Sequence, residues 1–452
     1  MAAAGGPTTG AGAQGVSLPR WVKLAYGTGA GGWTLVDRVM LTWLYYWYVT
    51  TPLPGVEALL LPLTFSLVML GGRVVDALAD PVIARFSDNH LGRRGRRVPF
   101  MLASGLPFVA VFIALFHPPV AGVSAWNAVY LGFALAAYFT LFTAYVGPYL
   151  ALLADLSATI KDRVDLSTAK AVATLLGAAV ALIASGLLVE AFGLRGMVWI
   201  LGALGLVLLY VPTRIPERRF ATATPATMPL VEAVRTTLRN RPFLIALVGA
   251  NAFWFGFNIV TLNVPLYATR LMGLSEAAVS LLMGAVFGVC LLCFPVANVL
   301  AKRRGLKAVM VGSLVLFAAC FPFLYFLGDP PFGLAPLTYG LAVMALAGVP
   351  LAGFFIVPDA IIAAVADLER AQSGQRREGM YFGVNGLLLK VNLGISTVVS
   401  GALLQFGGDP FGLQLTGPVA GAAVALGALV FTRYPERQVE ATRRATIGAP
   451  AA

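Results

Sequence analysis

Charged residues are scarce. Asp, Glu, Lys and Arg make up only 12% of the 452 residues, against ~25% in a typical soluble domain. That scarcity all but excludes a water-soluble enzyme. Histidine is scarcer still: His90 and His117 are the two in the chain, and both fall in expected loops. The three cysteines, Cys290, Cys293 and Cys320, lie inside apolar runs. Cys290 and Cys293 form a CxxC, but no His, Asp or third Cys stands near, so they read as core packing rather than a metal or redox site. With no nucleophile–base constellation and no metal-ligand cluster, an enzyme and a cofactor are not expected. No cleavable signal peptide is visible either: residues 1–19 are Gly/Ala-rich, followed by a lone Arg20.

What is abundant is apolar surface, with 59% hydrophobic residues; the 49 Gly and 28 Pro are scattered through apolar runs rather than gathered in repeats. The chain therefore reads as a polytopic membrane protein. Its net charge of +12 would suit nucleic acid, but the basic residues sit in short clusters between apolar stretches, as loops at a membrane surface do. No nucleic-acid partner is expected.

A helix needs ~20 apolar residues to cross the hydrocarbon. Twelve stretches qualify: about 22–50, 57–84, 99–117, 125–155, 165–191, 196–213, 242–269, 275–301, 308–328, 334–366, 380–406 and 413–432. With the N terminus inside, the cytoplasmic segments hold 26 of the 32 basic residues, and the opposite loops hold only Arg195 and Arg270. Both termini are therefore expected to be cytoplasmic. The remaining four, Arg38, Arg73, Lys170 and Lys390, fall inside spans.

The longest cytoplasmic connection, 214–241, divides the spans six and six, and its PLVEAVRTTLRNRPF suits a short interfacial helix. The halves echo each other. GPYLALLADL (147–156) ends span 4 and VPDAIIAAVADL (357–368) ends span 10. LGRRGRR (91–97) follows span 2 and AKRRGLK (301–307) follows span 8. The expected fold is an all-α membrane protein of twelve transmembrane helices in two six-helix bundles, the layout of the major facilitator superfamily. The expected organisation is a disordered tail 1–21, bundles 22–213 and 242–432, the linker 214–241 and a tail 433–452.

Ionisable side chains at mid-bilayer cost at least ~2.5–3.5 kcal/mol and so should face a cavity and have partners. Span 2 carries Arg73, Asp76 and Asp80 in GGRVVDALADP. Offsets of three and four put all three along one helical face. Two carboxylates one turn apart stay ionised only with a cation beside them; otherwise one takes up a proton. The pair reads as a site for Na+ or H+, or else as a salt bridge with Arg73 that holds the helix in place. Lys390, about ten residues into span 11, is a partner for the acids when the site is empty, a partner for the solute, or a snorkelling lysine. Asp37 and Arg38 are adjacent in span 1, about 100° apart on the helix, and are expected to need different partners. Lys170 suits a cavity or snorkelling equally, and Asp359 a cavity or a gate. Among the aromatics, Trp43 to Tyr48 are expected in an outer interfacial belt. Trp33 and Trp254 lie deeper, where each could stack on a solute ring.

RVVDALADPVIARFSDNHLGRRGRRVPFM (73–101) resembles a motif of the glycoside–pentoside–hexuronide:cation symporter family, melibiose-permease-like members of the major facilitator superfamily. YGTGAGGWTLVDRVMLTWLYYWYVT (26–50) is similar to the family's first span, PYLALLADL (148–156) to the end of its fourth, RNRPF (239–243) to the entry of its seventh, and ADLERAQSGQRREGMYFGVNGLLLK (366–390) to its span 10–11 connection. The resemblance implies that Asp76, Asp80 and Thr143 bind the coupling cation, a Na+ ion if the protein is sodium-coupled. It implies that Lys390 stands between the cation and solute sites, and that Lys170 faces the solute. Arg73, Arg93, Arg94, Arg96 and Arg97, with Asp88, Asp155 and Asp367, are the expected gating and structural set. Thr34, Val146 and Leu150 replace an Asp, an Asp and a Trp of the sugar permease, which weakens melibiose-like specificity. Ala79 replaces an Asn of sodium users, which favours H+.

The expected function is a cation-coupled symporter of a small organic solute, a sugar or glycoside, working by alternating access in the cytoplasmic (inner) membrane. Asp37, Lys390, Lys170, Trp33 and Trp254 are the expected solute-binding residues. The expected partners are the solute, the coupling Na+ or H+ and the lipid bilayer, with the monomer as the functional unit. Two alternatives stay open: a lysolipid-like amphiphile as the solute, and a receptor or assembly factor that uses the scaffold without transport.

Overall fold

The computed structural model describes residues 18–50, 58–90, 92, 94–157, 159–220, 240–373 and 378–439. Within them lie twelve long helices: α1 Arg20–Thr50, α2 Pro62–Asn89, α3 Val98–Leu115, α4 Ala125–Leu156, α5 Ile160–Ala179, α6 Ser185–Tyr210, α7 Arg241–Leu266, α8 Ala277–Arg304, α9 Leu306–Cys320, α10 Pro336–Ser373, α11 Glu378–Gly407 and α12 Phe411–Phe431. The apolar runs set their length. Polar and turn residues set their ends: Ser124, Thr159 and Asn240 accept backbone N–H bonds at the starts of α4, α5 and α7, and Gly305, at φ 88, turns the chain between α8 and α9.

The break expected between spans 5 (about 165–191) and 6 (about 196–213) coincides with an interruption of the helix at Gly193. A π-turn, Val180–Ala184, joins α5 to α6 without a loop, and the break falls inside α6 at Gly193, φ 70 and ψ 167. Among the described residues, nine helical segments are long and apolar enough to cross a membrane, with α5 and α6 counted as one. α1 and α2 fall outside that set. α1 carries Gly, Trp and Tyr beside Asp37 and Arg38, and α2 carries Arg73, Asp76, Asp80, Arg85 and Asp88, which lower their mean hydropathy. The interfacial helix expected in the linker, and the ends of both tails, lie outside the described residues.

Helices of the first half pack on one another, α1 on α5 and α6, α2 on α4, and α3 on α4 and α6. Those of the second half do likewise, α7 on α11 and α12, α8 on α10, and α9 on α10 and α12. Two contacts between the halves matter here: α1 on α7, and α2 on α11. Small residues bring α11 close. A Cβ on Gly401 would meet Ser66 Oγ and Pro62 O, and one on Gly394 would meet Leu70 and Arg73. The helices run antiparallel, so Lys390, one turn before Gly394, arrives opposite the acids of α2.

The aromatic belt is a correction. Trp43, Tyr45, Tyr46, Trp47 and Tyr48 are all buried inside the protein. The Trp43 indole donates to Ser185 Oγ at 2.9 Å, Tyr46 OH to Glu276 Oε1 at 2.9 Å and Tyr48 OH to Leu115 O at 3.0 Å. An amphipathic ring finds an apolar body and a polar tip equally well between helices.

Candidate functional site

The acids of α2 point inward. Val74, Leu78, Val82 and Phe86 form an exposed apolar stripe, one residue per turn. Asp76 and Asp80 lie two residues out of phase with it, about 200° around the helix. Asp76 is fully buried, while the Asp80 side chain is 45% exposed.

Lys390 reaches across from α11. Its ammonium donates to Asp76 Oδ1 at 2.8 Å and to Asp80 Oδ1 and Oδ2, both at 2.8 Å. Thr143 on α4 donates between the same groups, 3.1 Å to Asp76 Oδ1 and 3.2 Å to Asp80 Oδ1. Arg73 is more distant, 3.4 Å from Asp76 Oδ2, and its guanidinium lies over the Phe139 ring at 4.5 Å. A positive group therefore already stands between two carboxylates and a hydroxyl, a donor set of hard oxygens that suits Na+ or a proton as well as an ammonium. The Arg73–Asp76 ion pair of the salt-bridge reading is present, and Lys390 is the closer cation to both acids.

Asp37 is buried on α1 and interacts electrostatically with Arg38, Arg73, Asp76 and Lys390. Arg38 Nη2 lies 3.8 Å from Asp37 Oδ2, so these neighbours face each other, contrary to the expectation of separate partners. The long guanidinium arm bends across the angle between the two positions. Trp33 packs edge-on against Phe142, with ring centroids 5.8 Å apart, one residue before Thr143. Lys170 is half-buried on α5 beside Ala169, which touches Gly27 of α1. That is ten residues of α1, ~15 Å, from the level of Asp37. Trp254 sits in a separate aromatic group with Phe253, Phe257, Phe354 and Phe355.

The basic turn after α2 is built into a second cluster. Arg96 and Arg97 bind Asp155 at 3.1 and 3.2 Å, and Arg97 Nη1 donates to Ser87 Oγ at 2.7 Å. Arg94 is exposed. Arg93 lies outside the described residues, as do the side chains of Asp88, Asp359 and Asp367. Sequence reasoning missed Glu217, which accepts from the backbone N–H groups of Arg96, Arg97 and Val98 at 2.7 to 3.1 Å and so caps α3. Glu436 repeats the device, accepting from Lys307 N at 2.9 Å at the start of α9. The signal was present as Pro-Glu-Arg at 216–218 and again at 435–437.

At the other end, among the described residues, hydrogen bonds join the halves: Tyr46 OH to Glu276 Oε1 (2.9 Å), Leu63 N to Gln405 Oε1 (3.1 Å), Leu187 N to Ser280 Oγ (3.1 Å) and Ser275 Oγ to Glu190 Oε2 (3.3 Å). Asn258 of α7 donates to Ser396 Oγ at 2.8 Å, and Asn263 to Ser400 Oγ at 2.7 Å. These bonds fasten the helix that carries Lys390 to its neighbour.

Residues 25–432 match a family model described as MFS/sugar transport protein. A symporter of Synechocystis is 23% identical over 489 residues, covering 87% of this chain and 88% of its own. A putative glycoside/cation symporter of Escherichia coli, YagG, is 25% identical over 407 residues, covering 85% and 82%. The fold is similar to that of a bacterial homolog of the human lysosomal transporter Spinster in an inward-facing, unoccupied conformation, at a TM-score of 0.66 and 14% identity over 96% of this chain and 100% of that one. The expected twelve-helix major facilitator fold is the one observed.

Proposed function

The chain belongs to the MFS/sugar transport protein family, and from that premise we propose that it is a cation-coupled symporter of a sugar or glycoside, working by alternating access. As a family member it is a multi-pass membrane transporter rather than an enzyme. The observation that carries the reading is the Lys390 ammonium held 2.8 Å from both Asp76 and Asp80. A coupling cation entering between the acids displaces that ammonium, or a proton weakens its hold, and the freed Lys390 changes the contact between α2 and α11. Cation and solute then favour each other by linkage.

In this reading Asp76, Asp80 and Thr143 take the cation, and Asp37, Lys390, Lys170, Trp33 and Trp254 face the solute. Arg73 steadies Asp76. Arg93, Arg94, Arg96 and Arg97, with Asp88, Asp155 and Asp367, hold the basic end. Both termini are cytoplasmic, in keeping with the basic-residue count, in an inner membrane. The bundles 22–213 and 242–432 rock about the site in a monomer. The hydrogen bonds joining the halves at the far end, and the exposed Asp80, support a state open toward the basic loops.

The test is uptake into vesicles by Asp76→Asn/Asp80→Asn. The double variant is expected to insert and fold but to lose cation-stimulated uptake; cation-dependent uptake at the wild-type level discards the mechanism. Val146 and the exposed Leu150 on α4, in place of the sugar permease's Asp and Trp, favour the amphiphile as a second reading. A lysolipid arm beside the sugar arm separates the two.

A further inference from the structure

We infer that the seam between the halves, at the end away from the basic loops, contains a second solute site, where Thr42, Tyr45 and Asn263 meet the hydroxyls of a neutral polyhydroxylated solute when the halves part. This rests on the symport reading above and gives its solute a station outside the acid pair. Three observations carry it: buried polar atoms without partners, their place in the register of the helices, and a cavity directly outside them.

The atoms are Thr42 Oγ1 and Tyr45 OH of α1 and Asn263 Oδ1 of α7. Each belongs to a buried residue and has no hydrogen-bond partner among the described residues. The Tyr45 hydroxyl faces those of Ser66 on α2 and Ser400 on α11 without bonding either. Asn263 Nδ2 donates to Ile259 O and Ser400 Oγ, both at 2.7 Å. A carbonyl oxygen can only accept, so the amide nitrogen is fixed on that side and Oδ1 is the atom left over. Thr42 stands one turn inward of Tyr45 and Tyr46, on the face of α1 between them. Both halves of the molecule therefore contribute to this level.

The level is distinct from the acid pair. Ser66 lies ten residues outward of Asp76 on α2, and Ser400 ten residues outward of Lys390 on α11, an interval of ~15 Å on each helix. One turn farther out, Val49, Pro62 and Leu404 line a cavity of about 160 Å³ together with Arg270, Asp409 and Leu413. A single water needs only ~10–15 Å³, so a larger guest fits there. Arg270 and Asp409 are paired at 2.7 Å in its wall, which offers donors and acceptors with little net charge.

The chemistry selects the guest. A polar atom buried without a partner is costly, and an isosteric apolar group would close the seam without that cost. The neighbouring polar groups are paired, Tyr46 with Glu276 and the Leu63 amide with Gln405. The three left over therefore find their partners when the seam is open. The Thr42 and Tyr45 hydroxyls both donate and accept, and Asn263 Oδ1 accepts. A bare cation would use only the acceptors, and an anion only the donors. A sugar hydroxyl uses both. Arg270 acts on Tyr45 and further disfavours a cation. The Tyr45 ring, edge-on to Phe65 with centroids 5.2 Å apart, adds the apolar body that a sugar ring packs on.

The test uses the full-length protein in proteoliposomes under an inward Na+ or H+ gradient. The probes are glucose, xylose and methyl β-glucoside, with lysophosphatidylcholine as the amphiphile arm. Thr42→Val/Tyr45→Phe deletes two hydroxyls that make no bond in this state, so its melting temperature is expected to be no lower than that of the wild type. The half-saturating external sugar is expected to rise about tenfold in the double variant and about threefold in Tyr45→Phe alone. The half-saturating cation, measured at saturating sugar, is expected to stay unchanged. An unchanged sugar midpoint overturns the inference. So does a sugar and cation midpoint that rise together, because a mere shift between the two open states weakens both ligands alike; symport survives that result. A lower melting temperature with lost uptake in both variants makes the two residues packing groups and also overturns it. Failure of the wild type to take up any of the neutral sugars overturns the sugar reading and the second site together.

Discussion

Lys390 and Asp76 lie 314 positions apart in the chain and 2.8 Å apart in space. The bond crosses from one half of the molecule to the other, one turn from Gly394, where α11 packs against Leu70 and Arg73 of α2. A charge-dependent contact between the halves at this level is what a cation can act on.

Removing the ammonium should expose that dependence. Lys390→Ala leaves Asp76 buried beside Asp80 with no close cation but Arg73 at 3.4 Å. Breaking a buried pair typically costs about 3–5 kcal/mol, and the half-exposed Asp80 places the expected loss near about 3 kcal/mol. Stability in detergent should recover when Na+ is raised or pH is lowered, because either supplies the missing positive partner or removes a negative one. A melting temperature of the variant that responds to neither rules out the acid pair as a cation site.

Thr143→Val keeps the shape of α4 and deletes a hydroxyl that lies within hydrogen-bond distance of both carboxylates. A hydrogen bond to a charged group is worth about 1.5–3 kcal/mol, which corresponds to at least about tenfold in the half-saturating cation concentration. The thermal shift against Na+ and pH reads it directly. An unchanged midpoint for both cations assigns Thr143 to packing alone.

The spans and the acid pair were legible because each obeys a strong rule: long apolar runs cross membranes, and ionisable residues inside them need partners. Their partnership with Lys390 was legible only as one of several options, since no local pattern says which residue of α11 arrives opposite Asp76. That is decided by Gly394 and Gly401, two glycines among 49. The rings of Trp43 to Tyr48 were misread because an amphipathic ring has the same composition signature at a headgroup layer and between helices. Glu217 and Glu436 were missed because an acid in a basic loop looks solvated until the amides it caps are seen.

Those two caps differ in a way that predicts unequal costs. Glu217 is buried and accepts from three backbone amides, while Glu436 is seen to accept from one. Glu217→Gln should therefore destabilise the protein by about 1–3 kcal/mol and Glu436→Gln by no more than about 1 kcal/mol. Unfolding midpoints in detergent compare them, and a larger effect at Glu436 would contradict the capping account.

The last prediction concerns the end where the halves are latched. Gly401 sits where any Cβ would run into Ser66 Oγ and Pro62 O, and Tyr46 bonds Glu276 nearby in the same closure. Gly401→Leu cannot fit while α2 and α11 stay in contact, because one of its neighbours is backbone and the other is held to Pro62 O at 2.8 Å. The helices must part at that end, so the substitution should favour the state open away from the basic loops. Tyr46→Phe should push the same way more gently, by about 1 kcal/mol or fivefold in the populations. A cysteine placed at Leu63 reports the change: labelling by a membrane-impermeant maleimide should rise in both variants, more in Gly401→Leu. Labelling that stays at the wild-type level in a folded Gly401→Leu would mean that the α2–α11 contact is not part of the gate.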